Sequence, residues 1–195
     1  NINQINPNYN FKYYTTNKMD TDGEKLCIPL WLLDTDDMAL LLSATSHAQL
    51  PIIERMLKIV SIFSKDDELA TSYKNHLIAK AIMTILYTNQ TASSKRNDVF
   101  AIIASCSTAA FNLEAPVQGL GYVRKFRDCF NIDTHGNFPE SNLMTEYITS
   151  FIKEDLDEYE PGPAGFYTLK DLEKALEFTL ISEGLLRNDS THDEA

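Results

Sequence analysis

Three stretches of this chain carry oxygen-bearing side chains at spacings that could do chemistry. Asn131, Asp133 and His135 alternate ahead of Gly136, and Phe138 follows two residues later. Alternating donors before a sharp glycine turn are how a loop wraps calcium, which takes six to eight oxygens. The position where a bidentate carboxylate should close the loop is Asn142, and Pro139 interrupts the run. A second stretch, Glu160 to Asp171, matches more weakly. Gly165, Tyr167 and Asp171 fit the pattern, but Pro161, Gly162 and Pro163 stand where ligands belong. The third is Asp34, Asp36 and Asp37 after the apolar run Lys25–Leu33. Clustered carboxylates of that kind either converge on a divalent cation or start a helix, where Asp caps and the positive dipole end favours acids.

Other chemistries lack their residues. The histidines His47, His76, His135 and His192 are scattered, with no HxxxH pair and no cysteine at ligand spacing, so no metal site is expected. His47 and His76 are expected on helix surfaces or caps. Cys27, Cys106 and Cys129 are odd in number and form no CxxC pair, which predicts reduced, buried thiols. No GxSxG and no glycine-rich phosphate loop occurs, and Gly119-Leu120-Gly121 is too short for a dinucleotide site. No cofactor motif is present.

The elements that must position these residues read as helices. Asp34 opens one whose body, Met38 to Ala48, is apolar nearly all round and is expected at the centre of the fold. Ile52, Ile53, Met56, Leu57, Val60 and Phe63 form a second stripe, with Pro51 in its first turn. Leu69 to Leu86 carries a third stripe and Val99 to Leu113 a fourth. Pro116 predicts the start of a fifth helix, weakened by Gly119 and Gly121, ending near Phe130. Ser141 is expected to cap a sixth, and Thr168 a last one aligned on Leu169, Leu172, Leu176 and Leu180. The expected fold is all-α, a compact bundle of about seven helices, with a small two-strand element from the first 33 residues. Its expected organisation is a polar N-terminal arm over 1–24, a single helical domain over 25–187, and a disordered acidic tail over 188–195.

Charge is unevenly placed. The formal net charge is −11. From Glu154 onward there are twelve acids against three bases, so the last 42 residues carry −9 and the rest −2. That end repels phosphate, so nucleic acid and anionic membrane are not expected partners, whereas a basic protein surface is. No apolar run approaches the ~20 residues of a membrane-spanning helix. No basic stretch followed by an apolar segment opens the chain, so no signal peptide is expected and the location is read as cytoplasmic.

Three resemblances bear on function. The Asn131–Phe138 loop resembles part of an EF-hand, which implies a degenerate calcium-regulated module; a polar turn plus a helix cap accounts for the same residues. Leu33-Asp34-Thr35-Asp36-Asp37-Met38-Ala39 resembles the aspartate cluster of nucleoside hydrolases, without the Pro-Gly turn that makes those carboxylates converge. The block Pro163-Ala164-Gly165-Phe166-Tyr167-Thr168-Leu169-Lys170 resembles the Ala-Gly-aromatic turn and helix of small acidic adaptors of the Legionella Dot/Icm type IVB secretion system. That likeness implies a cytoplasmic, non-enzymatic adaptor or chaperone binding other adaptor subunits and effectors at a coupling complex. The residues expected to meet a partner are Glu154, Asp155, Asp157 and Glu158 for steering, with Tyr159, Phe166 and Tyr167 as aromatic anchors. The alternatives are the calcium module and an enzyme assembled from scattered carboxylates.

Overall fold

The computed structural model describes residues 12–44, 46–159 and 165–184. The tail expected over 188–195 lies outside them, as do residues 1–11 of the arm, and so do Pro163 and Ala164 of the adaptor-like block. The described chain runs β1 (Tyr14–Thr15), β2 (Glu24–Lys25), α1 (Thr35–Leu41), α2 (Gln49–Phe63), α3 (Glu68–Leu86), α4 (Ala92–Cys106), β3 (Pro116–Gln118), β4 (Val123–Lys125), α5 (Ser141–Thr149) and α6 (Leu169–Ser182). Short 3-10 turns occupy Leu30–Leu32, Phe126–Phe130 and Glu154–Leu156.

Helix starts follow local chemistry. Asp34 accepts from the Asp37 amide at 2.9 Å, and Asp37 reaches back to the Asp34 amide, closing a capping box on α1. Asp67 accepts from the Ala70 amide and caps α3; Thr91 does the same for α4 from Ser94. Thr168 and Asp171 form a second capping box on α6. α5 begins at Ser141 itself, after Glu140, and no side chain caps it.

The helices share one main apolar core. α6 packs against α2, α3 and α4, with Phe178 and Thr179 buried among them. α3 is the central helix: Ile78, Ala79 and Ile82 are fully buried. A second part of the core is aromatic. Phe111 stacks on Phe151 at 4.5 Å between centroids, Phe126 meets Tyr147 at 4.8 Å and Phe130 at 5.2 Å. This group fastens α5 to the β3–β4 hairpin and the turn that follows it.

The fold is mostly helical, as expected, and the small two-strand element exists as a parallel pairing of β1 with β2. It joins residues on both sides of the expected arm boundary. Four expectations are corrected. The fifth helix is absent: Pro116 begins an antiparallel hairpin, with Val117 opposite Arg124. Gly121 at φ +82° makes the tip, and the missing Cβ of Gly119 leaves room for the Tyr122 ring. The described residues therefore hold six α-helices. α1 is not central: it is seven residues long and buries Met38 and Ala39, while Leu40, Leu41 and Leu42 are exposed and Ser43 turns the chain at φ +54°. Lys25–Leu33 is not a buried strand: Leu26, Ile28 and Leu32 face outward, and Leu30, Trp31 and Leu33 lean on the core. His76 is not on the surface: only 1% of it is exposed.

Candidate protein-binding surface

The acidic segment after α5 is held on α3. Leu156 is buried with Ile62 and Tyr73, and Tyr159 meets the Tyr73 ring edge-on at 4.8 Å. Glu154, Asp155, Asp157 and Glu158 stand exposed around that anchor, Glu154 and Asp155 in a 3-10 turn. Asp157 is already engaged within the chain through one carboxylate oxygen. Its Oδ1 accepts from Lys80 Nζ at 2.7 Å and lies 2.9 Å from His76 Nε2. The Lys80 ammonium holds the Asp157 carboxyl below its ordinary range, with the His76 contact adding to the effect.

His76 is joined on both sides. Its Nδ1 accepts the Lys153 backbone N–H at 3.1 Å, so the neutral ring carries its proton on Nε2, facing Asp157. Burial pushes its pKa down, partly offset by the Asp157 carboxylate. Beside it lies a cavity of about 270 Å³ lined by Arg55, Tyr73, Lys80 and Asp157 among others. A carboxylate, an imidazole and a lysine around a cavity invite a catalytic interpretation. Both imidazole nitrogens are already engaged, Nδ1 with the Lys153 amide and Nε2 with Asp157, so His76 is held as a bridge between α3 and the acidic segment.

The adaptor-like block splits into an inward and an outward half. Tyr167 is buried and its hydroxyl donates to the Leu30 carbonyl at 3.3 Å, so it is a structural tie and not an anchor for a partner. Phe166 is 81% exposed and rests edge-on against Trp31, 4.6 Å between centroids. Leu32, next to Trp31, and Leu169, the first residue of α6, are 59% and 71% exposed. Asp34, Asp36 and Asp37 follow Leu33 in the chain, all exposed; Asp34 and Asp37 cap α1, and no salt bridge reaches the three among the described residues. Of the seven expected partner residues, Tyr167 is thus buried and six fall on two supports, the acidic segment with Tyr159 on α3 and Phe166 on Trp31. Trp31 and Leu32 were not expected there. Pro29 and the single Trp within the apolar run were the sequence signals for a non-strand aromatic there.

The calcium-like loop is closed by its own side chain. Asp133 Oδ1 accepts from the amides of both His135 and Asn137 at 2.9 Å, and Gly136 turns at φ +79°. Phe138 packs on Phe130. Of the second stretch, Asp171 caps α6, and 160–164 lie outside the described residues. Among the described residues no three His, Cys, Asp or Glu side chains converge as metal ligands. Cys106 and Cys129 are buried, and burial pushes the Cys106 thiol up to about 12; Cys27, expected to be buried, is exposed. No helix among the described residues is long and apolar enough to cross a membrane. No family model matches the chain, and no curated protein or solved structure matches it.

Proposed function

We propose that this protein is a non-enzymatic acidic adaptor that docks a basic, amphipathic segment of a protein partner. The observation that carries this is the exposure of Leu32, Phe166 and Leu169, with Phe166 edge-on to half-buried Trp31, close in the chain to the exposed acids Asp34, Asp36 and Asp37, which have no salt-bridge partner among the described residues. Aromatic and leucine side chains that stay exposed on a well-packed domain lose hydration cost only when something covers them. Acids beside such a surface select a basic partner and speed its approach. Glu154, Asp155 and Glu158 add exposed negative charge on the segment held on α3. The secretion-adaptor likeness names a candidate setting: cytoplasmic binding of adaptor subunits or effectors for a type IV coupling complex.

Affinity capture from the native cell with the wild-type chain and with Phe166→Ser/Leu169→Ser tests the proposal. The wild type is expected to retain a partner that the variant loses, with the variant's circular dichroism unchanged. Equal recovery by a folded variant would reject this surface. Once a partner is in hand, reversing charge at Glu154, Asp155 and Glu158 should slow its association and flatten the salt dependence of the on-rate.

A further inference from the structure

The bond between His76 and Lys153 depends on protonation in a way fixed by its geometry. The imidazole accepts the Lys153 amide at Nδ1 and faces Asp157 at Nε2. An imidazolium has donors on both nitrogens and no lone pair to accept. Protonation would set an N–H of the ring against the N–H of Lys153 within 3.1 Å, and one must leave. The ring is the less mobile of the two. It is 1% exposed, stacked on Tyr73 and built into the central helix. The Lys153 backbone belongs to a surface segment pinned further on by Leu156 and Tyr159.

We propose that neutral His76 is a latch that fastens the start of the acidic segment Lys153–Tyr159 to α3, and that acidification opens it. The charged groups around the ring set its operating range. From α3, Lys80 opposes a second positive charge. From the segment itself, Asp157 and Asp155 favour it, while the Lys153 ammonium is turned away onto Ser72 Oγ at 2.9 Å. From α2, Arg55 lines the same cavity but is paired with Glu183 at 3.0 Å. Burial outweighs the two carboxylates, so the folded ring titrates below the unfolded one. The sign follows. The latch is fully closed above the unfolded imidazole value of about 6.5 and is lost as pH falls through the lower folded value. Asp157 stays with the ring in both states, so the change is confined to the Lys153 end. Any consequence for partner capture rests on the adaptor proposal above, because this segment carries part of the negative field.

Nuclear magnetic resonance on the isotope-labelled protein between pH 7.5 and 5.0 tests the latch without a partner. The His76 ring resonances and the Lys153 amide are expected to move with one shared midpoint, below about 6.5, and Lys153 exchange protection should fall with them. In His76→Gln, whose side-chain oxygen can accept but cannot titrate, the Lys153 amide should stay unchanged across the range. Asp157→Asn gives a second check: both midpoints should drop together. A Lys153 amide that stays protected while His76 titrates would overturn the proposal, and so would separate midpoints in either protein. Failure of the Phe166→Ser/Leu169→Ser capture test would leave this result untouched, so the two proposals fail independently.

Discussion

Phe166 and Tyr167 are neighbours in the chain and have opposite roles. Phe166 lies in a bend just ahead of the α6 cap, with Tyr167 between the two. Tyr167 finds a carbonyl for its hydroxyl on the inner side, and Phe166 keeps an edge contact with Trp31 on the outer one. Both aromatics were legible as residues of interest; which one a partner could touch was not, because that depends on where Leu30 and Trp31 lie. His76 shows the same limit. A histidine in a helical stripe reads as a surface residue until its two partners, 77 and 81 residues away, are known. At this scale the aromatic core makes a firm prediction. Phe111 is fully buried and stacked on Phe151. Phe111→Ala should cost about 3–5 kcal/mol through lost burial and a cavity. Urea unfolding of the two proteins at pH 7 would measure it.

Elements were readable where local chemistry starts or stops them. The caps at Asp34 and Thr168 were visible because an N-cap needs only its own side chain and amides three residues on. The hairpin at 116–125 was missed because proline followed by two glycines suits a weak helix start as well as a turn. What decides is that Val117 buries against α5 while its neighbours are exposed, a period of two that three residues cannot announce. α6 packs on three other helices, so a weakened start should be felt in the core. Thr168→Ala removes its cap and should destabilise the protein by about 1 kcal/mol. A midpoint shift in chemical denaturation with an unchanged slope would show it. A wild-type midpoint would mean that Asp171 alone holds the helix start.

For the whole molecule the controlling property is its acidity. Asp157, Glu114 and Asp171 are each held below the ordinary carboxylate range, by Lys80, by Lys125 and by the Thr168 backbone amide respectively. Carboxyl groups with depressed folded values stabilise above their unfolded values of about 4 and lose that contribution as pH falls through the folded ones. Thermal unfolding should therefore be steady from pH 7 down to about 5, apart from the His76 contribution, and drop steeply below about 4. A melting temperature that rises on acidification would contradict these pairings. Calcium makes a separate test. With Asp133 closed on two backbone amides, calorimetry at millimolar calcium should show no binding heat at the 131–138 loop.

The sequence by itself determined the helical character of the chain, most helix starts and the concentration of negative charge after Lys153. Those properties are local or additive: a 3.6-residue stripe, a cap three residues from its amide and a sum of charges need no partner distant in the chain. Only the tertiary structure decided that Leu40 to Leu42 and Phe166 are left facing solvent, that Tyr167 and His76 are inside, and that Asp157 is already engaged. Each of those depends on which distant surface arrives to cover a side chain. Hydrophobicity rewards burial without naming the covering partner, so an apolar run such as Cys27–Leu33 serves equally as a core strand or as a docking face until the other elements have taken their places.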